Sequence, residues 1–233
     1  MAPPFDLLLA ATAFDMTTFK IKRKILTISN SVPDNWGAEV HMVYGILMVD
    51  GNGVLNVATL DLIRGWQGPD TIGNASLVPG SPVSVFKQSE RTYTALMVDK
   101  NGVLNVAFLD PSKGWQGPDT LGNANLVPGS PISIFKQSAT TYTALMIDRN
   151  GVLNVASFDL SRGWQGPDTI GNASLVPGSP VSVFKQSATT YAALMADRNG
   201  VLNVATLDLI KGWQGPDTIG NAGFVPGSPL SVI

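Results

Sequence analysis

The residues best suited to chemistry are four tryptophan–glutamine pairs, each inside the same heptapeptide, GWQGPDT. An indole offers a flat apolar surface, and the neighbouring amide offers hydrogen-bond donors and acceptors. Such a pair suits a small ligand that has an apolar face and polar edges. The alternative is that each tryptophan packs between repeated elements as plain core. The pairs are Trp66 and Gln67, Trp115 and Gln116, Trp164 and Gln165, and Trp213 and Gln214.

An asparagine recurs inside apolar runs that are otherwise typical of β-strands, although strands disfavour this residue type. A buried amide needs hydrogen-bond partners. Each of these asparagines is therefore expected either to bond neighbouring backbone or to contact a ligand. The set consists of Asn56, Asn105, Asn154 and Asn203.

These residues lie in a tandem repeat with a period of 49 residues, in a chain of 233. The units cover residues 44–92, 93–141, 142–190 and 191–233. The second and third units agree at 39 of 49 positions, so the repeat is nearly exact. A fixed period of this size is typical of a solenoid, a propeller or an array of small domains.

Each unit is predicted to form a sheet of four short antiparallel strands. In the second unit, two apolar runs, Tyr93–Asp99 and Val103–Leu109, flank Asn101-Gly102, which is a strong signal for a hairpin turn. A third strand is predicted from Trp115 and a fourth over Pro131–Phe135. No helical period is sustained. Four-stranded units of this length are the blades of a β-propeller, so we predict an all-β propeller.

The first 43 residues do not match the repeat. Strands are predicted there over residues 5–10, 19–28 and 39–44. We expect a single domain over residues 1–233, with this segment as a divergent fifth blade, because closing the ring removes exposed sheet edges. The alternatives are four blades with an N-terminal arm, or a ring completed by association of several chains.

Composition excludes several classes of function. Charged residues are 14% of the chain and the net charge is −2, with no basic stripe, so we expect no nucleic acid partner. The chain has no cysteine, which excludes disulfides and thiol chemistry, and we expect neither a metal nor a cofactor. The segment FDLLLAATAF lacks a preceding basic region. We interpret it as mature structure and expect a cytoplasmic or non-classically exported protein without membrane insertion.

Enzymatic activity is not expected. His41 is the single histidine and lies in the unmatched segment, so a Ser-His-Asp triad has no support. Two sets of aspartates recur in every unit, whereas a catalytic pair is normally unique in a chain. Turn capping is predicted for both sets, because the first lacks the remaining ligands of a calcium loop and the second ends a strand. The sets are Asp50, Asp99, Asp148 and Asp197, and Asp61, Asp110, Asp159 and Asp208.

A short polar segment, Lys87-Gln88-Ser89, follows the predicted fourth strand and recurs at Lys136 and Lys185. We interpret it as a solvated loop. The alternative is that it lines a site.

The order of motifs between Leu96 and Phe135 resembles a known family. LMVDKNGVL is followed by GWQGPDTLG, VPGSP and ISIF. This order is similar to the blades of sugar-binding β-propeller lectins of the tachylectin and tectonin type and of related fungal and bacterial propeller lectins. The resemblance covers all four units and none of residues 1–43.

The resemblance implies a lectin that binds glycans or glycoproteins without chemistry. Its sites would lie near the tryptophans in grooves between adjacent blades, and the tryptophan, glutamine and asparagine sets above are the candidate contacts. Four near-identical units imply several equivalent weak sites that act by avidity. Near-identical blades also leave homo-oligomerisation open.

The competing hypothesis is a structural or protein-interaction propeller, natural or idealised by design, in which the tryptophans only pack and no small molecule binds.

Overall fold

The computed structural model contains two compact units, Met1–Met42 and Val43–Ile233. Each unit is described by itself. The structure describes residues 8–15, 20–27, 43–61, 65–73, 76–89, 92–110, 112–122, 125–171, 174–220 and 223–231.

The described part of the first unit is an antiparallel pair of strands, β1 (Leu8–Asp15) and β2 (Lys20–Thr27). β2 lies within the predicted strand over 19–28. β1 begins three residues later than the predicted strand over 5–10 and continues beyond it. Of the third predicted strand, residues 39–42 lie outside the described residues, and residues 43–44 begin the next strand, β3.

The second unit consists of four antiparallel sheets that follow one another along the chain. Sheet 1 has three strands and sheets 2 to 4 have four, which confirms the predicted all-β class with four-stranded sheets. Sheet 1 contains β3 (Val43–Val49), β4 (Leu55–Asp61) and β5 (Gly65–Thr71). Sheet 2 contains β6 (Ser84–Lys87), β7 (Tyr93–Val98), β8 (Leu104–Asp110) and β9 (Gly114–Gly122). Sheet 3 contains β10 (Ser133–Lys136), β11 (Thr141–Ile147), β12 (Leu153–Asp159) and β13 (Gly163–Ile170). Sheet 4 contains β14 (Ser182–Lys185), β15 (Thr190–Ala196), β16 (Leu202–Asp208) and β17 (Gly212–Gly220).

The boundaries of the sheets are offset from those of the repeat units by one strand. The prediction that the four strands of a unit form one sheet is wrong in this respect. The fourth strand of the second repeat, β10, pairs with β11 of the third repeat, with Ser133 opposite Leu145. Each repeat therefore supplies three strands to one sheet and one strand to the next, and the chain links neighbouring sheets in this way. The number of blades in a complete ring stays a prediction.

The hairpin turns form as the Asn-Gly signal predicts. In sheet 2, Oδ1 of Asp99 accepts hydrogen bonds from the backbone N–H of Asn101 at 2.8 Å and of Val103 at 2.9 Å. Gly102 has a φ of +78°, and a Cβ there would lie 2.1 Å from the carbonyl oxygen of Leu126. Glycine is thus required both by the turn and by the close approach of the next segment. The Asp99 carboxylate caps the turn, as its spacing predicts.

The GPD part of the heptapeptide forms a β-bulge. In sheet 2, Ala107 lies opposite two residues, Gly117 and Pro118, because the register shifts between Val106 and Phe108. Gly117 has a φ of +90°, and a Cβ there would lie 2.7 Å from the carbonyl oxygen of Val106. A bulge of this kind re-aims the strand on either side of it. The Gly-Pro pair is thus an architectural element.

The hydrophobic cores lie between neighbouring sheets. Between sheets 2 and 3, Leu96, Leu104 and Met146 are fully buried in one cluster, and equivalent clusters occur between sheets 1 and 2 and between sheets 3 and 4. Side chains also cross from sheet to sheet. The hydroxyl of Tyr142 donates to the carbonyl oxygen of Lys87 at 2.6 Å, and Nε of Arg149 donates to that of Leu126 at 2.9 Å. Adjacent sheets are thus joined by both apolar and polar contacts.

Candidate functional site

In sheets 2 to 4, the tryptophan of the heptapeptide lies on the face of its sheet that points to the preceding sheet. In sheet 3, Trp164 is the cross-strand partner of Phe158, and the two ring centroids lie 5.3 Å apart. The Trp164 ring also meets Phe86 of sheet 2 edge-on, at 6.2 Å and 75°. Directly opposite residues in an antiparallel pair share one face, so Phe158 and Trp164 together form an aromatic wall directed toward sheet 2.

A groove of about 430 Å³ opens along this wall, between sheets 2 and 3. We call it the 2/3 groove. Apolar surface dominates it, with a few polar groups at defined places, which is typical of small-molecule sites. Sheet 3 contributes Phe158 and Trp164; sheet 2 and its β6–β7 connection contribute Gln88, Thr92, Thr94, Val106, Phe108 and Asp110.

The polar groups of the 2/3 groove are positioned by bonds within sheet 2. The hydroxyl of Thr94 donates to Oε1 of Gln88 at 3.0 Å. This contact fixes the side-chain amide and leaves its N–H donors for another partner. The same contact recurs in sheet 3 and the connection before β11, where the hydroxyl of Thr143 donates to Oε1 of Gln137 at 2.6 Å.

Asp110 is an ionised acceptor at the end of β8. Its Oδ1 accepts the hydroxyl of Ser112 at 2.6 Å and the backbone N–H of Ser112 at 2.7 Å. These bonds, with Lys113 contributing a further backbone bond and its charge, lower the pKa of the Asp110 carboxyl from its ordinary value. One carboxylate oxygen thus caps the turn, and Oδ2 has no donor among the described residues.

The glutamines of the heptapeptide point to the opposite face from the tryptophans that precede them, because successive strand residues alternate. Gln116 is the cross-strand partner of Phe108, which lines the 2/3 groove. Gln116 therefore lies on the face of sheet 2 that points toward sheet 3, while Gln165 lies on the face of sheet 3 toward sheet 4. The Nε2 group of Gln116 donates to the carbonyl oxygens of Lys113 at 3.2 Å and Trp115 at 3.0 Å.

The same alternation separates the other predicted pairs. Trp66, Trp115 and Trp213 each have as cross-strand partner the leucine at the position of Phe158, and Gln67, Gln165 and Gln214 have as partner the residue at the position of Phe108. A tryptophan of one repeat and the glutamine of the preceding repeat thus lie on facing sides of neighbouring sheets, although Gln116 is not among the residues that line the 2/3 groove.

The asparagines lie at the other end of each sheet. Asn105 is four residues before Leu109, the partner of Trp115, so the two sites are about 13 Å apart along the strand. Nδ2 of Asn105 donates to the carbonyl oxygen of Val103 at 3.0 Å. The equivalent bond recurs from Asn154, Asn203 and Asn56, and all four side chains are buried. The structure does not bring these asparagines together with the tryptophans.

The four tryptophans differ in burial. Trp115, Trp164 and Trp213 are half-buried, and each packs against the core between its own sheet and the preceding one. Trp213 meets Phe135 of sheet 3 edge-on at 6.4 Å and 80°. Trp66 belongs to sheet 1 and is 56% exposed. In sheets 2 to 4, the preceding sheet therefore covers one side of the tryptophan.

Five groove residues were not singled out from the sequence: Thr92, Thr94, Val106, Phe108 and Phe158. Phe108 and Phe158 stand at adjacent positions of the repeat but in different units, where the other units have Thr, Ser or Leu. The signal that could have found them is this departure from the repeat. Gln88 lines the groove, which is the alternative role of the Lys-Gln-Ser segment.

Other chemistry finds no support in the described part of the chain. No group of three or more His, Asp or Glu side chains that could hold a metal occurs there. His41 lies outside the described residues. Within the described ranges, no helix has the length and apolar character needed to cross a membrane.

The fold is similar to solved β-propeller lectins. The BP39L lectin from Burkholderia pseudomallei aligns with a TM-score of 0.68 at 29% identity, over 76% of this chain and 52% of that one. AofleA from Arthrobotrys oligospora aligns with a TM-score of 0.57 at 16% identity, over 79% and 55%. The Aleuria aurantia lectin, a six-bladed β-propeller described with a fucose recognition mode, aligns with a TM-score of 0.54 at 14% identity, over 78% and 55%.

The chain thus spans about half the length of these lectins. No family model and no curated protein matches it. The resemblance to fungal and bacterial propeller lectins that the repeat motifs predict is confirmed at the level of the fold.

Proposed function

We propose that the protein is a lectin that binds pyranosides in the grooves between successive sheets. The observation that carries this proposal is the 2/3 groove, where an aromatic wall stands across from an ionised carboxylate, an oriented amide and threonine hydroxyls. A pyranose ring has an apolar C–H face and a hydroxyl edge, so it matches both sides of such a groove.

Each groove combines the tryptophan of one repeat with the glutamine of the preceding one. For the 2/3 groove the contacts are Trp164, Gln116, Gln88 and Asp110. We assign the buried asparagines to holding the β-hairpin turns, because their amides already bond the backbone. Binding needs no bond-breaking step, and the proposed activity is recognition without catalysis.

Several sites at corresponding positions support binding to glycans displayed on a glycoprotein or cell surface. If one site binds at about millimolar concentration, simultaneous binding at two or more raises the apparent affinity by roughly 10² to 10⁴. A homo-oligomer would multiply the sites further. The expected measurement is weak binding of a monovalent sugar and much tighter binding of a multivalent glycoconjugate carrying the same sugar.

The test uses fucosides first, because the Aleuria aurantia and SapL1 lectins with this fold are described in complex with or recognising fucose. Methyl α-L-fucoside is titrated by calorimetry and by tryptophan fluorescence, and a glycan array extends the search to other sugars. Trp164→Ala should remove one site and leave a folded protein. The matched control is Trp66→Ala, at the same position of the first repeat, where the side chain is exposed, and it should keep the full number of sites.

The second candidate is a protein-interaction propeller in which tryptophans only pack. It is favoured by the edge-on contacts of Trp164 and Trp213 with core phenylalanines. It would be established if neither the array nor the titrations show binding and if Trp164→Ala unfolds the protein.

A further inference from the structure

The register of the repeats places residues equivalent to those of the 2/3 groove between the other successive sheets, but two of these residues differ in type. These two residues lie next to each other in the second strand of each repeat. The first, at the position of Phe108, lies on the face toward the following sheet. The second, at the position of Leu109, lies on the face toward the preceding sheet. The first position is occupied by Thr59, Phe108, Ser157 and Thr206, and the second by Leu60, Leu109, Phe158 and Leu207.

Each groove is lined by the side chain at the first position of one sheet and by the side chain at the second position of the next sheet. The 2/3 groove takes Phe108 and Phe158. The corresponding groove between sheets 3 and 4, the 3/4 groove, takes Ser157 and Leu207 by the same register, since Leu207 is the partner of Trp213. Two phenylalanines from different repeats therefore meet in one groove.

This convergence stands out against the near-identity of the repeats. The second and third units differ at 10 of 49 positions, and eight of these exchanges are Val/Ile, Leu/Ile, Lys/Arg, Asn/Ser or Pro/Leu. The remaining two are Phe108 for Ser157 and Leu109 for Phe158. Both of these exchanges place an aromatic ring in the 2/3 groove.

We propose that the 2/3 groove is specialised for a pyranoside carrying an apolar substituent, such as the C6 methyl group of a 6-deoxy sugar, and that Phe108 sets this preference. Phe108 is 37% exposed and lines the groove across from Phe158 and Trp164. All three rings line the groove, so a methyl group bound among them would lose contact with water. A hydroxyl at that place would lose its hydrogen bonds to water and would find no hydrogen-bond partner on the rings.

The 3/4 groove has a hydroxyl at the position of Phe108. Ser157 is half-buried there, and Leu207 replaces a ring by an aliphatic side chain. The polar residues around it match those of the 2/3 groove, because Gln137, Thr143 and Asp159 repeat Gln88, Thr94 and Asp110. The two grooves should therefore bind the same hydroxyl pattern and differ in the tolerated substituent.

This inference rests on the proposed function, and the test separates the two. The probes are methyl α-L-fucoside and methyl α-L-galactoside, which differ by one hydroxyl at C6. A hydrophobic pocket distinguishes substituents of this size by roughly 10- to 200-fold. Calorimetry of the unmodified protein should resolve a site class with a fucoside preference of about 10-fold or more and a class with a preference of a few-fold.

The deciding variants exchange the two groove linings. Phe108→Ser should abolish the selective class and leave the number of sites unchanged. The double variant Ser157→Phe/Leu207→Phe should convert the 3/4 groove and double the selective class. The control is Thr206→Phe, which places the same ring on sheet 4, where the structure describes no tryptophan facing it, and it should add no selective site.

Each outcome decides one question. If neither sugar binds the unmodified protein, binding of these pyranosides, and with it the fucoside form of the proposed function, fails. If both bind and Phe108→Ser keeps the fucoside preference, the proposed function stands and the specialisation of the 2/3 groove is wrong. Because Phe108 is partly exposed, the variant should remain folded, and its circular dichroism spectrum checks this.

Discussion

Trp66 and Trp164 occupy the same position in the same heptapeptide, yet they have different surroundings. Trp66 is 56% exposed, whereas Trp164 is half-buried against Phe86 of the preceding sheet and Phe158 of its own. The heptapeptide is identical in the two, so the difference in burial comes from outside it, where Phe86 of sheet 2 and Phe158 pack against Trp164. Each sheet carries half of a groove, and the next sheet supplies the other half.

The largest expected effect of this difference is on stability. Trp164→Ala should lower the free energy of unfolding by about 2 to 4 kcal/mol, because it removes a ring packed between two sheets. Trp66→Ala should change it by less than about 0.5 kcal/mol, because an exposed side chain has little packing to lose. Urea unfolding followed by circular dichroism measures both.

Trp164→Phe provides the control for ring size, and it should recover most of the loss. Equal destabilisation by Trp66→Ala and Trp164→Ala would break the comparison, since it would mean that the preceding sheet contributes nothing to the tryptophan environment.

The sequence predicted what is local to a repeat. The Asn-Gly turns, the aspartate caps and the order of strands follow from residues that are close in the chain, such as Asp99 with Asn101 and Val103. The expected place of a site, between sheets and near a tryptophan, also followed from the repeat. These features depend on short-range rules that a single unit contains.

The sequence did not predict what arises between repeats. The assignment of β10 to sheet 3 depends on pairing across a loop, and the residues Ser133–Lys136 would form a strand in either sheet. The separation of Trp164 from Gln165, its neighbour in the chain, required the register of the strands, because side-chain alternation places adjacent residues on opposite faces. For the same reason Asn105 lies at the far end of its strand from Trp115.

A smaller effect is expected from the hydrogen bond that crosses between sheets. The Tyr142 hydroxyl donates to Lys87, and the side chain is buried. Tyr142→Phe should cost about 1 kcal/mol, because it removes this bond and leaves a carbonyl oxygen unpaired. The matched control is Tyr93→Phe at the same position in sheet 2, where the hydroxyl has no hydrogen-bond partner among the described residues.

Tyr93→Phe should cost less than about 0.5 kcal/mol by the same urea measurement. A loss as large as that of Tyr142→Phe would show that the Tyr93 hydroxyl is bonded as strongly as the Tyr142 hydroxyl. The expected contrast between the tyrosines of sheets 2 and 3 would then be wrong.

The smallest expected effect concerns one carboxylate position with different neighbours. Asp159 accepts hydrogen bonds from the side chain and backbone of Ser161, which lower its pKa to about 2, with Thr141 contributing a further bond. In the fourth repeat, Ile210 replaces this serine, so the pKa of Asp208 is lowered mainly by backbone N–H groups, first that of Ile210. Ser161→Ala should raise the pKa of Asp159 and leave that of Asp208 unchanged, as measured by NMR titration of the two carboxyl groups.

The stability of the protein should follow the same shift. The pKa of an aspartate in the unfolded chain is about 3.9, above the pKa of about 2 for Asp159 in the fold. The ionised form therefore stabilises the fold above about pH 4, and this contribution is lost as the pH falls toward about 2. The stability difference between the unmodified protein and Asp159→Asn should be constant from pH 8 to 5 and shrink below pH 4. If this stability difference changed near pH 7 instead, the bonds from Ser161 would not be what holds the Asp159 carboxylate in its charged form. The neighbours of this position would then matter less than the neighbours of the tryptophans do.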